Sequence, residues 1–266
     1  MHKKVHVRKI AVLYPVIYIL LFVLSSCQPG QPADNHVNTP SFQKTAILSP
    51  TTTPILTDPA PTITTTPLPA LSIPVFTGAP PNLDGDIDPG EWDQATSEFF
   101  ADGSELLLMR TGDMLYLAIR ANTAQMIVGN VYLQREDKIS IMHASAALGT
   151  AIYAREDQSW MQVQNFTWRC RAAGFNEEAI AEREEFLQEE GWLANNSRMG
   201  NFNELEYQIE IGTGITALAV VLLQEQDPHP YPAGLDDDSV QLFSGGIPEE
   251  MRFSTNLWAP ITISTN

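Results

Sequence analysis

Cysteine is almost absent: only Cys27 and Cys170 occur in 266 residues. At most one disulfide can close within the chain, so a packed apolar core has to supply the stability that a covalent framework would otherwise give. Positive charge is scarce too, with 15 Lys and Arg against 32 Asp and Glu and a net charge of −17. Such a chain repels phosphate backbones and anionic headgroups, which excludes nucleic acid as a partner. Several catalytic signatures are also missing. No Gly-rich phosphate loop, Gly-x-Ser-x-Gly elbow or His-Glu-x-x-His helix occurs, so phosphoryl transfer, serine hydrolysis and zinc proteolysis have no machinery. A non-catalytic protein is expected.

What is present begins with Lys3, Lys4, Arg8 and Lys9, followed by an uncharged apolar stretch from Ile10 to Leu24. That order is the order of a secretory signal peptide. The stretch is shorter than the about 20 apolar residues of a spanning helix and contains Pro15, so permanent spanning is the weaker reading. It ends on Leu24-Ser25-Ser26-Cys27, which resembles the lipobox of bacterial lipoproteins: an aliphatic residue, two small residues and the cysteine that receives lipid. The resemblance implies cleavage before Cys27, with residues 1–26 as the lipoprotein signal peptide. It also implies attachment to a bilayer through lipidated Cys27. Removal of the four leading cations leaves 11 Lys and Arg against 32 acids, a charge of −21, so lipid rather than a basic patch would hold the membrane. A lipidated Cys27 precludes an intramolecular disulfide, and Cys170 then reads as a small packed residue. The expected location is extracytoplasmic, at a cell surface or outer membrane.

Residues 27–80 are rich in Thr, Pro, Ser and Ala, as in Pro50-Thr51-Thr52-Thr53-Pro54 and Pro61-Thr62-Ile63-Thr64-Thr65-Thr66-Pro67. Proline removes donors and the short polar side chains have little apolar surface to bury, so the segment is expected to be a disordered tether. At about 3 Å per residue it would reach up to about 150 Å. Residues 81–266 form one domain in which period-two alternation dominates. Hairpins are expected from Glu105–Arg110 to Met114–Ala121 across Thr111-Gly112-Asp113, and from Ile127–Gln134 to Ile139–Ala146 across Arg135–Lys138. The strands of the first are expected to have one wet face. Further strands are read at 151–155, 160–168, 206–211, 217–223, 239–243 and 257–264. Asn176-Glu177-Glu178 caps a short helix with Ile180, Phe186 and Leu187 as its apolar stripe, stopped by Gly191. The fold class is all-β, a sandwich of immunoglobulin-like or jelly-roll type with a short inserted helix.

The domain opens on Asn82-Leu83-Asp84-Gly85-Asp86-Ile87-Asp88-Pro89-Gly90-Glu91-Trp92, which resembles the start of carbohydrate-binding module family 9-like domains, within the DOMON-like sandwiches. Met114–Arg120 and Tyr207–Ile211 are similar to later strands of that family. The resemblance implies a sandwich with Trp92 anchored in its core and a carbohydrate or cell-surface polymer as partner. It also implies a haem-binding redox domain as an alternative, and a structural or assembly lipoprotein that meets another protein is a third reading.

Sugar binding needs flat aromatic faces against pyranose rings. Trp160, Trp168 and Trp192 are the candidates, and the eight-residue spacing of Trp160 and Trp168 puts both on one face of a regular strand. Core packing is the competing reading for each. Asp84, Asp86, Asp88 and Glu91 alternate like the ligands of a calcium loop, but Pro89 and Ala95 stand where an EF-hand needs Gly and Glu, which favours a plain turn. Asp236-Asp237-Asp238 is a further acidic loop. His143 shares the apolar face of Ile139 and Ile141, where it is a candidate haem ligand or, more simply, a hydrogen-bonded core histidine. No cofactor is required by these residues: calcium is the possible one, and haem is disfavoured without a Cys-x-x-Cys-His attachment motif.

Overall fold

The computed structural model describes residues 69–170, 176–196, 201–212, 214–225, 227–235, 240 and 247–262. Cys27, the signal segment, the tether up to residue 68, Asp236–Asp238 and, apart from Val240, the strand expected at 239–243 lie outside the described residues.

Among the described residues, fourteen strands and one α-helix build the domain: β1 (Leu71–Ser72), β2 (Thr96–Phe99), β3 (Glu105–Thr111), β4 (Met114–Arg120), β5 (Ile127–Arg135), β6 (Lys138–Ala144), β7 (Ala147–Glu156), β8 (Ser159–Cys170), α1 (Glu177–Glu190), β9 (Trp192–Asn195), β10 (Glu204–Glu210), β11 (Ile215–Gln224), β12 (Asp227–Tyr231), β13 (Glu250–Met251) and β14 (Ala259–Thr262). They form a β-sandwich. One sheet has nine strands in the order β1-β14-β11-β5-β6-β7-β8-β13, with β12 also paired to β11, and the other has five in the order β2-β3-β4-β10-β9. Both expected hairpins form, and Gly112 takes the positive φ (53°) that the tight β3–β4 turn requires.

Alternation decides which side chains meet between the sheets. Leu106 and Leu108 of β3, Leu115, Leu117 and Ile119 of β4, and Leu205, Tyr207 and Ile209 of β10 face Val131 and Leu133 of β5 and Leu218, Val220 and Leu222 of β11 in the central core. The approach is close at Gly129. A β-carbon there would lie 2.6 Å from Leu205 Cδ2 and nearer still to the Tyr207 hydroxyl, so only glycine fits.

The wet outer faces expected for β3 and β4 are dry. Leu107, Met109, Tyr116 and Ala118 pack outward against Phe76, Ile87 and Trp92. Trp92 is thus buried on the outside of the five-stranded sheet and not between the sheets. The outer face of the large sheet is likewise covered, with Tyr132, Ile141, Tyr153 and Val221 under Leu235, Phe253 and Trp258. Burial on both faces is why β3 and β11 read as nearly unbroken apolar runs.

The sandwich also starts earlier than its composition suggests. Leu71, Ile73 and Phe76 are buried, and β1 pairs in parallel with β14, Leu71 opposite Ile261. A few large aliphatic and aromatic residues outweigh the surrounding prolines once a sheet offers them a face. Helix α1 forms as expected, with Asn176 Oδ1 accepting from the Ala179 N–H at 2.9 Å and Gly191 in a left-handed C-cap. Its buried stripe is Ala179 and Phe186, with Leu187 partly packed; Ile180 faces solvent.

Candidate functional site

The three tryptophans separate. Trp160 is 4 % exposed, with its ring edge-on to Phe253 at 6.2 Å and the Arg155 guanidinium above it at 5.8 Å. Trp192 is 1 % exposed, stacked on Tyr207, edge-on to Phe186, and donating from Nε1 to Thr150 Oγ1 at 2.7 Å. Both are core residues. Trp168 is 53 % exposed.

Trp160 and Trp168 do lie on the same face of β8, opposite Arg155 and Gly149 of β7. The pairing shifts register twice between them, and the two shifts preserve the alternation. The six-residue step from Gly149 to Arg155 along β7 separates them by about 20 Å. They cannot form one platform, because one is roofed by Phe253 and the other stands clear of that cover.

Around Trp168 the sheet is shaped to receive an indole. A β-carbon on Gly149 would lie 2.8 Å from Trp168 Cε3 and 3.0 Å from Phe166 Cδ1, so the missing side chain makes the space both rings occupy. Phe166 stacks on Trp168 at 4.7 Å and 25°, while His143 meets it edge to face at 4.9 Å and 89°. The result is an exposed aromatic side chain with little freedom to turn. Gly149 and Phe166 were not singled out by sequence reasoning, although an isolated glycine within a strand is itself a sign of close approach.

His143 Nδ1 is 2.8 Å from Asn130 Oδ1 and Nε2 is 3.1 Å from Ser145 Oγ. Burial pushes its pKa down to about 4, so the ring is neutral at physiological pH. Both nitrogens are engaged, and ligating a haem iron would break one of these bonds; the arrangement does not fit a haem site.

The aspartate-rich turn is a clasp. Asp84 accepts from the Asp86 N–H and from Asn82 Nδ2, Asp86 accepts from the Asn201 N–H, and Glu91 accepts from the Asn82 N–H, while Asp88 is exposed. Among the described residues no three His, Cys, Asp or Glu side chains gather to hold a metal ion. These carboxylates therefore brace a turn and do not fit a calcium loop. Beneath them lie two acids that sequence reasoning passed over. Glu206, fully buried on β10, accepts from the Gly85 N–H at 2.9 Å and from Trp92 Nε1 at 3.1 Å. Glu204 accepts from the Ile87 N–H at 2.8 Å and from Arg120 Nε at 2.9 Å. Burial first, and then the nearby Asp84 and Glu91 charges, push the Glu206 pKa up to about 8 against the pull of its two hydrogen bonds. The alternation of β10 places both acids on the face that receives the turn, which is the one signal that could have found them.

Cys170 ends β8 and is disulfide-bonded. Comparison with protein-family models, curated proteins and solved structures found no match to this chain.

Proposed function

We propose that this chain is a membrane-anchored, extracytoplasmic lipoprotein whose sandwich binds carbohydrate or a cell-surface polymer without catalysis. The observation that carries the binding half of this reading is Trp168: a large apolar ring left 53 % exposed and held in place by Gly149, Phe166 and His143. Exposing an indole forgoes burial that would stabilise the fold by about 1.5–3 kcal/mol, so contact with a ligand gives the exposure a reason. Pyranose rings present C–H faces to such groups while their hydroxyls stay hydrated. The anchoring half rests on Leu24-Ser25-Ser26-Cys27 and the leader before it. A sulfur that carries lipid cannot also bond Cys170, and Cys27 is the only other cysteine, so lipidation of Cys27 and a disulfide to Cys170 exclude one another.

The test pairs a glycan array with fractionation of the native host. The full chain is expected to bind at least one glycan class, Trp168→Ala to weaken that binding roughly ten-fold or more, and Gly149→Ala to weaken it by displacing the ring. Cys27→Ser is expected to move the protein from membrane to soluble fraction. Glycan binding undiminished by Trp168→Ala, or membrane partitioning undisturbed by Cys27→Ser, would remove the corresponding half.

A further inference from the structure

A recess lies on the inward face of strands β5 to β8, where the large sheet extends past the small one. It has a volume of about 260 Å³. The register shows how it arises: Leu133 of β5 opposes Ser140 of β6, which opposes Ile152 of β7, which opposes Gln164 of β8. Along this row the inward side chains change from core leucine to serine and glutamine, and Thr150 joins them from the neighbouring row. Polar residues at core-facing strand positions are costly unless something satisfies them. They line the recess.

The remaining walls are fixed. Trp192 is held by its Nε1–H donation to Thr150 Oγ1 at 2.7 Å, so its ring cannot swing away. Glu190 and Gly191 close one side at the carbonyl end of α1. Arg135 closes another, its Nη2 donating to the Glu210 carbonyl oxygen, while its buried Nε has no acceptor among the described residues. A buried N–H without an acceptor is destabilising, and an incoming oxygen would relieve it.

We propose that this recess is a binding site for one neutral, polyhydroxylated ring, a single sugar unit. Its volume is just below the roughly 300–1,000 Å³ of ordinary ligand pockets, which limits the occupant to one ring. Arg135 and Gln164 donate, Glu190 and Gln164 accept, and Met142, Ile152 and Trp192 supply apolar wall, a mixture that matches hydroxyls around a C–H face. Anionic sugars are opposed by Glu190 and the negative end of α1. The charges of Glu189 and Glu210, which also line the recess, are offset by Arg169 and Arg135, so little pull on a cation remains beyond Glu190. The site is on the opposite face of the sheet from Trp168 and does not depend on that reading.

Saturation-transfer NMR on the full chain tests it, with glucose, galactose, mannose and N-acetylglucosamine as probes and glucuronate and spermidine as charged controls. At least one neutral sugar is expected to receive saturation, with the signal lost in Gln164→Leu and kept in Trp168→Ala, both variants being checked for an unchanged melting temperature. Should Gln164→Leu perturb the fold, Ser140→Ala replaces it. Loss in Trp168→Ala with retention in Gln164→Leu would overturn the recess while leaving the outer-face reading intact. Saturation of glucuronate or spermidine alone, or of no probe, would overturn the recess as well.

Discussion

Trp192→Ala and Trp160→Ala are each expected to lower stability by about 3–5 kcal/mol, the usual cost of removing a buried indole, while Trp168→Ala is expected to cost under about 1 kcal/mol. The contrast follows from their surroundings. Trp192 fills space between β9 and β7 against Tyr207 and Phe186, and its removal also leaves Thr150 Oγ1 without its donor. Trp160 sits in the ring cluster with Phe253, whose own contacts reach Tyr153 and Trp258. Trp168 packs mainly on Phe166 and His143 and leaves half its surface in water. Urea denaturation with a common slope would measure all three. A Trp168→Ala loss as large as that of Trp192→Ala would mean that the ring is structural and that its exposure has no bearing on ligands.

The second large effect is a dependence on alkali. Glu206 ordinarily would titrate near 4.5 and in the fold is pushed up to about 8. The folded state therefore holds this proton more tightly than the unfolded chain. Its stabilising contribution is complete below about pH 4.5 and is lost as pH rises through about 8. His143 acts in the opposite sense, because its depressed value favours the fold above pH 6.5 and weakens it as pH falls through about 4. The two overlap in acid, so the clean window lies between about pH 6.5 and 8.5. Across it the native chain is expected to lose stability on the order of 1–3 kcal/mol, and Glu206→Gln is expected to flatten the profile. Urea midpoints taken at half-unit pH steps would decide; parallel profiles for the two proteins would show that another group titrates.

The sequence made the strands legible because alternation survives in them. β3 to β8, β10, β11 and helix α1 all lie where period and capping put them, within a few residues. β12 escaped notice because Pro228 and Pro230 argue against a strand, yet it pairs with β11 alone, on one side, where missing donors do little harm. The outer coverings escaped for another reason. Residues such as Phe76, Leu235 and Phe253 are spread through irregular segments whose destination no local pattern encodes. At the candidate site, spacing alone indicated that Trp160 and Trp168 share a face. It could not indicate which of them the C-terminal segment would roof. The plain turn favoured for the alternating Asp residues is what forms, but the acid that holds that turn to the sheet comes from residue 206, more than a hundred positions later, and no local pattern announces it.

The parallel pairing of β1 with β14 has a kinetic corollary. Its partners are Leu71 and Ile261, near opposite ends of the domain, and β14 in turn zips onto β11 through Ala217 and Leu218. The β1–β14 edge of the large sheet is therefore incomplete until residues 259–262 leave the ribosome. Contacts of such sequence separation fold slowly. A chain halted before residue 259 would leave β1 and the Ala217–Leu218 stretch of β11, which β12 does not reach, without the strand that covers them, and bare edges of this kind favour clumping with neighbours over assembly into a lone sandwich.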